Sequence, residues 1–285
     1  LGAQPRFADI DPDTLNIQID SLASLIGPQT RAIVPVHYAG VACAMEPILA
    51  LAEKHHLTVI EDNAHGLLGG WKGRPLGSLG ALATFSFHET KNFSCGEGGA
   101  LLVNRSDWIE RAQILQDKGT NRQRFRQGLV DKYTWVDVGS SYLLGEFPAA
   151  VLLAALEARE FSQSRRMAIW KRYHEELRDW CQKPEVRQPV VPPDCQHPAH
   201  LYYLLLPDKK RRDALLAYLK ARDILAVFHY QPLHCCPVGL QFGGHPGQCP
   251  VSERVAEQMV RLPLFTDLTE EALTRVIEAI LAYRG

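Results

Sequence analysis

The stretch Ser86-Phe-His-Glu-Thr-Lys-Asn-Phe-Ser-Cys-Gly-Glu-Gly-Gly99 decides how the rest of the chain is interpreted. It places one lysine, Lys91, between an apolar segment and a cluster of glycines. In an open α/β sheet, ligands bind just beyond the carboxyl ends of the strands, so a lysine in this position is well placed to act on one. A lysine near glycines is nevertheless most often an ordinary loop residue, and the glycines alone are typical of a plain hairpin turn.

A second stretch, Val59-Ile-Glu-Asp-Asn-Ala-His65, begins as an apolar strand and ends in a carboxylate and a histidine. Residues 32–36 and 57–60 read as buried strands, and the apolar spacing of residues 46–56 predicts a helix between them. A strand, a helix and a strand within about thirty residues predict a βαβ unit with a right-handed crossover. The sequence therefore predicts an α/β fold with polar groups at the strand ends.

The later sequence continues the alternation of strands and helices. Residues 82–87 and 100–103 read as strands on either side of Lys91, and residues 119–142 as a long functional loop. A long helical pattern and a proline-rich stretch follow, and then come, in order, a strand over 201–206, a helix over 210–221, a strand over 225–229 and helices over 251–261 and 270–283. We predict a larger α/β domain over residues 1–158, and an interdomain helix with a smaller α/β domain over residues 159–285.

Composition excludes several classes of function. The chain has 285 residues, of which 46% are hydrophobic and 22% charged, and its formal net charge is −1, with no basic patch for nucleic acid or an anionic membrane. No apolar run approaches the roughly 20 residues of a membrane span. The seven cysteines are an odd number without framework spacing, which indicates reduced thiols and a cytoplasmic protein.

One group of residues has the side chains of a metal site, namely His229, His234, Cys235 and Cys236. Adjacent cysteines cannot easily share one tetrahedral ion, and no Cys-x-x-Cys pair accompanies them. We therefore expect no metal site in this chain.

The residues around Lys91 have the chemistry that pyridoxal phosphate (PLP) requires. PLP enzymes use a lysine amine to hold the cofactor as a Schiff base, a carboxylate against the pyridine nitrogen, and hydroxyl and N–H groups around the phosphate. Asp62 can be the carboxylate, and Ser86 lies five residues before Lys91, so that a short turn lets both reach one cofactor. Each residue also has a structural interpretation: Asp62 as a helix cap, Ser86 as a buried strand serine and His65 as a structural histidine.

The motifs VIEDNAHG and SFHETKNFSCGEGGALLVN, with VPVHYAG upstream and HYQPLH and RLPLF downstream, resemble the DegT/DnrJ/EryC1/StrS sugar aminotransferases over essentially the whole chain. Within that family, IVPVHYAGVAC, FSFHETKN, KGTNR and VDKYTWVDVGSSYL are most similar to the dTDP-4-amino-4,6-dideoxygalactose transaminases of enterobacterial common antigen synthesis. The resemblance implies an aspartate-aminotransferase-like (PLP fold type I) large domain followed by a smaller C-terminal α/β domain.

The resemblance also implies a role for each matching residue. Lys91 holds PLP covalently and moves the proton, and Asp62 partners the pyridine nitrogen. His65 lies beside the ring and its phenolic oxygen, and Ser86 binds the phosphate. Many members have an asparagine that reaches the neighbouring subunit's cofactor from the position of Ser141. The turn that approaches the substrate corresponds here to His229, Tyr230 and His234.

The activity implied by the resemblance is transfer of an amino group from glutamate to a nucleotide-linked 4-keto-6-deoxysugar, by a homodimer with its active site at the interface. Family members begin about a quarter of their length earlier, with a phosphate loop and an aromatic residue that stacks on the cofactor. We expect cofactor binding to be weaker without that segment. The chain is then either a fragment of a normal enzyme or a divergent protein, and the alternatives are another PLP chemistry on a nucleotide sugar or a non-catalytic structural or regulatory role.

Overall fold

A computed structural model describes residues 2–182 and 185–284. The strands are β1 (Ala32–Ile33), β2 (Thr58–Asp62), β3 (Gly70–Trp71), β4 (Arg74–Pro75), β5 (Leu82–Ser86), β6 (Gly99–Val103), β7 (Cys195–Gln196), β8 (Tyr202–Leu205) and β9 (Met259–Leu262). The α-helices are α1 (Ile19–Leu25), α2 (Met45–Lys54), α3 (Ile109–Gln116), α4 (Arg122–Arg126), α5 (Glu146–Glu157), α6 (Arg159–Glu176), α7 (Arg178–Cys181), α8 (Lys209–Lys220), α9 (Pro237–Gln241), α10 (Pro250–Gln258) and α11 (Glu270–Ala282).

The N-terminal sheet has the strand order β1-β2-β5-β6. β1, β2 and β5 are parallel, and α2 connects β1 to β2, as the sequence predicts. β6 pairs with β5 in the antiparallel direction, from Leu82 opposite Val103 to Ser86 opposite Gly99. Because β2 and β5 run in the same direction, their ends at Asp62 and Ser86 lie at the same edge of the sheet.

Glu61 links this sheet to neighbouring segments of the chain by hydrogen bonds. The side chain is fully buried, and its two oxygens accept hydrogen bonds from His37 Nε2 at 2.9 Å and from the N–H groups of Gly77, Leu79 and Gly80 at 2.7–2.9 Å. Burial by itself raises the pKa of the Glu61 carboxyl, but the hydrogen bonds, led by that from His37, more than offset this effect. The pKa is therefore lowered, and the buried group is a carboxylate.

The C-terminal part packs helices against the two-stranded antiparallel sheet of β8 and β9. In α11 the apolar residues recur at helical spacing, and Leu273, Val276, Ile277 and Ile280 are all buried. Thr269 caps this helix by accepting a hydrogen bond from Ala272 N at 3.2 Å. Full burial of each of these side chains contributes about 1.5–3 kcal/mol, which explains why this packing dominates the C-terminal core.

Three sequence predictions differ from the structure. The predicted strand over 225–229 is wrong, since Val227 makes only an isolated bridge to Arg261. The helix predicted over 251–261 ends at Gln258, because the following residues form β9, which pairs with β8 and is largely buried. The loop over 119–142 contains the short helix α4. The domain boundary at residue 158 falls between α5 and α6 and stays a prediction.

Helix α5 presents apolar side chains to solvent. Phe147 is 90% exposed, and Val151, Leu153 and, at the start of α6, Phe161 are all more than half exposed. Among the described residues, no helix has both the length and the apolar character that crossing a membrane requires. The exposed residues therefore form an apolar surface of a kind that often marks a protein–protein contact.

Replacing Glu61 by glutamine should strongly destabilise the fold. The amide keeps the shape but offers one acceptor oxygen to a site with four donors, so we expect the free energy of unfolding to fall by about 3–5 kcal/mol in urea denaturation. Glu53→Gln, at an exposed position of α2, is the matched control and should change it little.

The stabilisation that Glu61 contributes should depend on pH. Because the pKa of Glu61 lies below its usual value of 4.5 in the folded state, its stabilisation is fully present above that pH and is lost as the pH falls through the folded pKa. The stability difference between the parent chain and Glu61→Gln should thus shrink in acid. A difference that stays constant down to pH 3 would contradict the assignment of a buried carboxylate.

Candidate active site

Lys91 lies in the connection between the antiparallel strands β5 and β6. Phe87 N donates to Gly98 O at 2.8 Å, which extends the ladder by one pair, and Lys91 N donates to His88 O at 2.9 Å within the loop. Phe93 is only 2% exposed and anchors the loop in the protein. Gly96 has a φ of 85°, a conformation that a residue with a side chain adopts only with strain. The loop thereby presents Lys91 at the sheet edge where Asp62 and Ser86 end their strands.

The Lys91 amine is half-buried and is not held by a partner. No hydrogen bond or ion pair of its Nζ occurs within the described residues. Burial lowers the pKa of Lys91, Asp62 raises it through its charge, Arg261 lowers it, and the pKa is lowered on balance. A lysine with a lowered pKa has more of its amine in the neutral form, which is the form that attacks a carbonyl.

Asp62 and Ser86 take the positions that the sequence predicts for them at the strand ends. Asp62 Oδ1 accepts a hydrogen bond from Ala64 N at 3.1 Å, which orients the carboxylate. Ser86 Oγ lies 3.4 Å from His88 N, its one described hydrogen bond. Since neighbouring residues of a strand point to opposite faces, Asp62 faces away from the buried Glu61.

His65 is held in a defined tautomer. Its Nδ1 accepts a hydrogen bond from Ala39 N at 3.3 Å, and burial, followed by the charge of Lys91, lowers the pKa of the ring to about 3. At neutral pH the imidazole is therefore uncharged and its proton is on Nε2. A neutral N–H donor is suited to an oxygen atom such as the phenolic oxygen that the resemblance places beside it.

Sequence reasoning missed His200, which supports both Lys91 and His65. Its ring stacks on His65 with centroids 4.3 Å apart, and its Nδ1 donates to Asn92 Oδ1 at 2.9 Å, next to Lys91 in the chain. Burial lowers the pKa of His200 well below its usual value, so the ring is neutral. Arg166 Nη2 donates to the His200 carbonyl at 2.6 Å. No local motif signals this contact, because 108 residues separate His200 from Asn92.

The three predicted substrate residues separate into two environments. The Tyr38 Oη and the His229 Nδ1 are hydrogen-bonded at 2.5 Å, and burial lowers the pKa of His229 to about 3. Tyr230 is mostly exposed and contacts the His229 ring edge-on at 3.9 Å between centroids. His234 is buried and its Nε2 lies 2.9 Å from Glu253 Oε1. The contact of all three with substrate stays a prediction.

Ser141 is not brought to this group by the contacts of the described residues. It lies in an exposed segment and forms an isolated bridge with Asp117. The residue that the family resemblance matches to it acts on a neighbouring subunit's cofactor. Its role therefore stays a prediction about a dimer.

The residues gathered here fit PLP. Lys91 supplies an amine without a partner, Asp62 an oriented carboxylate within its electrostatic reach, and His65 a neutral donor. Ser86 supplies a hydroxyl at the same sheet edge. An amine, a carboxylate and neutral donors are the groups that a carbonyl-bearing pyridine phosphate requires.

Comparisons with known proteins agree with this fold. The model of the DegT/DnrJ/EryC1/StrS aminotransferase family matches residues 1–281. The spore coat polysaccharide biosynthesis protein SpsC of Bacillus subtilis is 33% identical over 287 residues, which cover 98% of this chain and 73% of SpsC.

Solved structures agree as well. A DegT DnrJ EryC1 StrS aminotransferase from Brucella abortus is 30% identical with a TM-score of 0.87, over 100% of this chain and 74% of that one. Helicobacter pylori PseC, an aminotransferase involved in the biosynthesis of pseudoaminic acid, is 26% identical with a TM-score of 0.88, over 98% of this chain and 73% of that one.

These similarities confirm both the family and the α/β fold that the motifs predicted. The match extends over nearly the whole chain, including the β5–β6 loop with Lys91 and the end of β2 with Asp62. The chain belongs to the DegT/DnrJ/EryC1/StrS aminotransferase family, whose members depend on PLP.

Proposed function

We propose that this protein transfers the amino group of glutamate to the keto carbon of a nucleotide-linked 4-keto-6-deoxysugar, with a dTDP-linked sugar as the substrate. The observation that carries the proposal is the half-buried Lys91 amine, with its lowered pKa, within the electrostatic influence of Asp62 at the strand ends. The relatives support a carbohydrate substrate, because SpsC is named for polysaccharide biosynthesis and PseC for pseudoaminic acid biosynthesis. The dTDP-sugar assignment rests on the resemblance of the sequence motifs to the dTDP-4-amino-4,6-dideoxygalactose transaminases.

Each site residue has a distinct task in this reaction. When bound, PLP supplies the electron sink for the pair released from the donor's Cα–H bond. Lys91 Nζ accepts that proton and later delivers a proton to the other reacting carbon, a transfer for which a lowered pKa is favourable. Asp62 would keep the pyridine nitrogen of bound PLP protonated by its negative charge.

The remaining residues orient the reactants. His65 Nε2 would donate to the phenolic oxygen of bound PLP, because Nδ1 already accepts from Ala39 N, and His200 holds the His65 ring by stacking. Ser86 Oγ would hold the phosphate, and the turn with His229, Tyr230 and His234 would contact the sugar nucleotide. Asn92 ties the Lys91 loop to His200 and to the Pro198 carbonyl, so the loop that carries the amine is fixed at two points.

We further propose that the protein is a homodimer whose partner covers the apolar surface of α5. Phe147 and Trp135 are 90% and 78% exposed, which is costly for large apolar side chains in water. In such a dimer Ser141, in the exposed segment before α5, acts at the partner's cofactor.

Covalent trapping tests the role of Lys91. After incubation with PLP and reduction with borohydride, peptide mapping should locate the label on Lys91, and Lys91→Ala should abolish it. Loss of the proton transfer alone should lower transamination by about 10²–10⁴-fold or more. Lys54→Ala, at an exposed residue of α2, is the control and should retain both label and turnover. A label distributed over surface lysines would refute the assignment and favour a non-catalytic role.

A second variant separates attachment of the cofactor to Lys91 from protonation of the pyridine nitrogen by Asp62. Asp62→Asn keeps the size of the side chain but removes the charge that protonates the pyridine nitrogen. We expect about 10²–10⁴-fold slower amino transfer from glutamate, measured in single turnover, while borohydride still labels Lys91. Unchanged turnover in Asp62→Asn would mean that another group holds the ring proton.

The dimer is tested by size-exclusion chromatography with light scattering. The parent chain should have the mass of a dimer, and Phe147→Glu should shift it to a monomer by placing a charge in the apolar interface. Val238→Glu, also at an exposed apolar position but on α9, should leave the dimer intact. A monomeric parent chain would contradict the proposal.

A further inference from the structure

We propose that this chain has a site for a divalent transition-metal ion, best suited to Zn²⁺, whose ligands are His234, Cys235 and Glu253. The His234 ring nitrogen, the Cys235 Sγ and a Glu253 carboxylate oxygen all lie within 4.8 Å of one another. The first two are in the 3-10 helix Leu233–Cys235, and the third is in α10.

The geometry is close to that of a bound ion. His234 Nε2 and Glu253 Oε1 are 2.9 Å apart, so an ion between them needs only a small opening of this contact. His234 is 3% exposed, whereas Cys235 and Glu253 are partly exposed, so an ion from solvent can reach the site. Metal binding displaces the proton that the two atoms share, and the imidazole then coordinates in its neutral form.

The carboxylate is already oriented for coordination. Gly247 N donates to both oxygens of Glu253, at 2.8 and 3.0 Å, and hydrogen bonds of this kind hold a ligating carboxylate in place. The connection between the donor and the helix that carries the carboxylate is short, since α10 starts only three residues after Gly247. Glu253 therefore keeps its position whether or not His234 turns slightly toward an ion.

The ligand types select the metal. One imidazole nitrogen, one thiolate and one carboxylate oxygen form the mixed set that Zn²⁺ accepts, whereas Mg²⁺ and Ca²⁺ require oxygen ligands. Three protein ligands leave a fourth tetrahedral position for water or another thiol. Cys249, which is one helical turn before Glu253 and 1% exposed, is a candidate thiol for this position.

The expectation of no metal site, drawn from the sequence, depended on the two adjacent cysteines. The structure separates them, because Cys235 joins the cluster, whereas the Cys236 Sγ lies 3.4 Å from the Pro232 carbonyl oxygen. Glu253 follows His234 by 19 residues and belongs to no recognisable ligand spacing. The three ligands come together in the tertiary structure, through the contact of His234 with Glu253.

Metal binding tests this inference without reference to PLP or to turnover. In competition with a chromophoric chelator, the parent chain should bind one equivalent of Zn²⁺, and Co²⁺ in its place should give a thiolate-to-cobalt charge-transfer band. Cys235→Ser should lower the affinity by at least about 100-fold, since even loss of a ligand's hydrogen-bond partner costs about 10–100-fold. Cys236→Ser is the matched control and should bind like the parent.

Alkylation provides a measurement that needs no variant to fold. Zn²⁺ should protect Cys235 from iodoacetamide and leave Cys236 reactive, as fragment-ion mass spectrometry of the shared peptide can distinguish. Glu253→Gln should reduce this protection. The inference is overturned by equal binding in Cys235→Ser and Cys236→Ser, by the absence of a thiolate band, or by equal alkylation of both thiols with and without Zn²⁺.

Discussion

The buried carboxylate of Glu61 is the interaction on which the rest of the N-terminal sheet depends. An uncompensated charge at this depth would cost several kcal/mol, and four hydrogen bonds compensate it. Three of these come from one turn before β5 and the fourth from His37, so a single side chain ties β2 to both neighbouring segments. The strand alternation then directs Asp62 to the opposite side. Glu61, which stabilises the fold, and Asp62, which is proposed to act on the cofactor, can be adjacent in sequence because their side chains lie on opposite faces of β2.

The candidate active site combines a few charged groups with a set of neutral histidines. Burial lowers the pKa of His65 and His229 to about 3, so they act as neutral hydrogen-bonding groups and add no positive charge beside Lys91. The neutrality of these histidines matters, because additional cations would compete with the pyridine nitrogen of PLP for the Asp62 carboxylate. The histidines also connect distant segments, since His200 joins the Lys91 loop to the start of β8 and His229 joins Tyr38 to the C-terminal part.

The cluster of His234, Cys235 and Glu253 is placed where it can influence that site through the chain. It follows His229 and Tyr230 by a few residues, and α10 leads directly into β9, whose Met259 Sδ accepts a hydrogen bond from Tyr38 Oη at 3.2 Å. An ion that links the 3-10 helix to α10 would therefore restrain the segment between His229 and Met259, and both of these residues contact Tyr38. This connection is mechanical, and the ion itself is not a reactant in the amino transfer.

The sequence by itself determined the α/β class, the strand–helix–strand unit, the family and the positions of Lys91, Asp62 and Ser86 at strand ends. These are local properties, because hydrophobic periodicity and short motifs are carried by consecutive residues. It could not determine that residues 259–262 leave a helical pattern to pair with β8, or that His200 supports Lys91, or that Glu253 meets His234 and Cys235. Those outcomes depend on which faces are buried against distant segments, and burial and hydrogen-bond pairing between distant residues are decided only when the chain has packed.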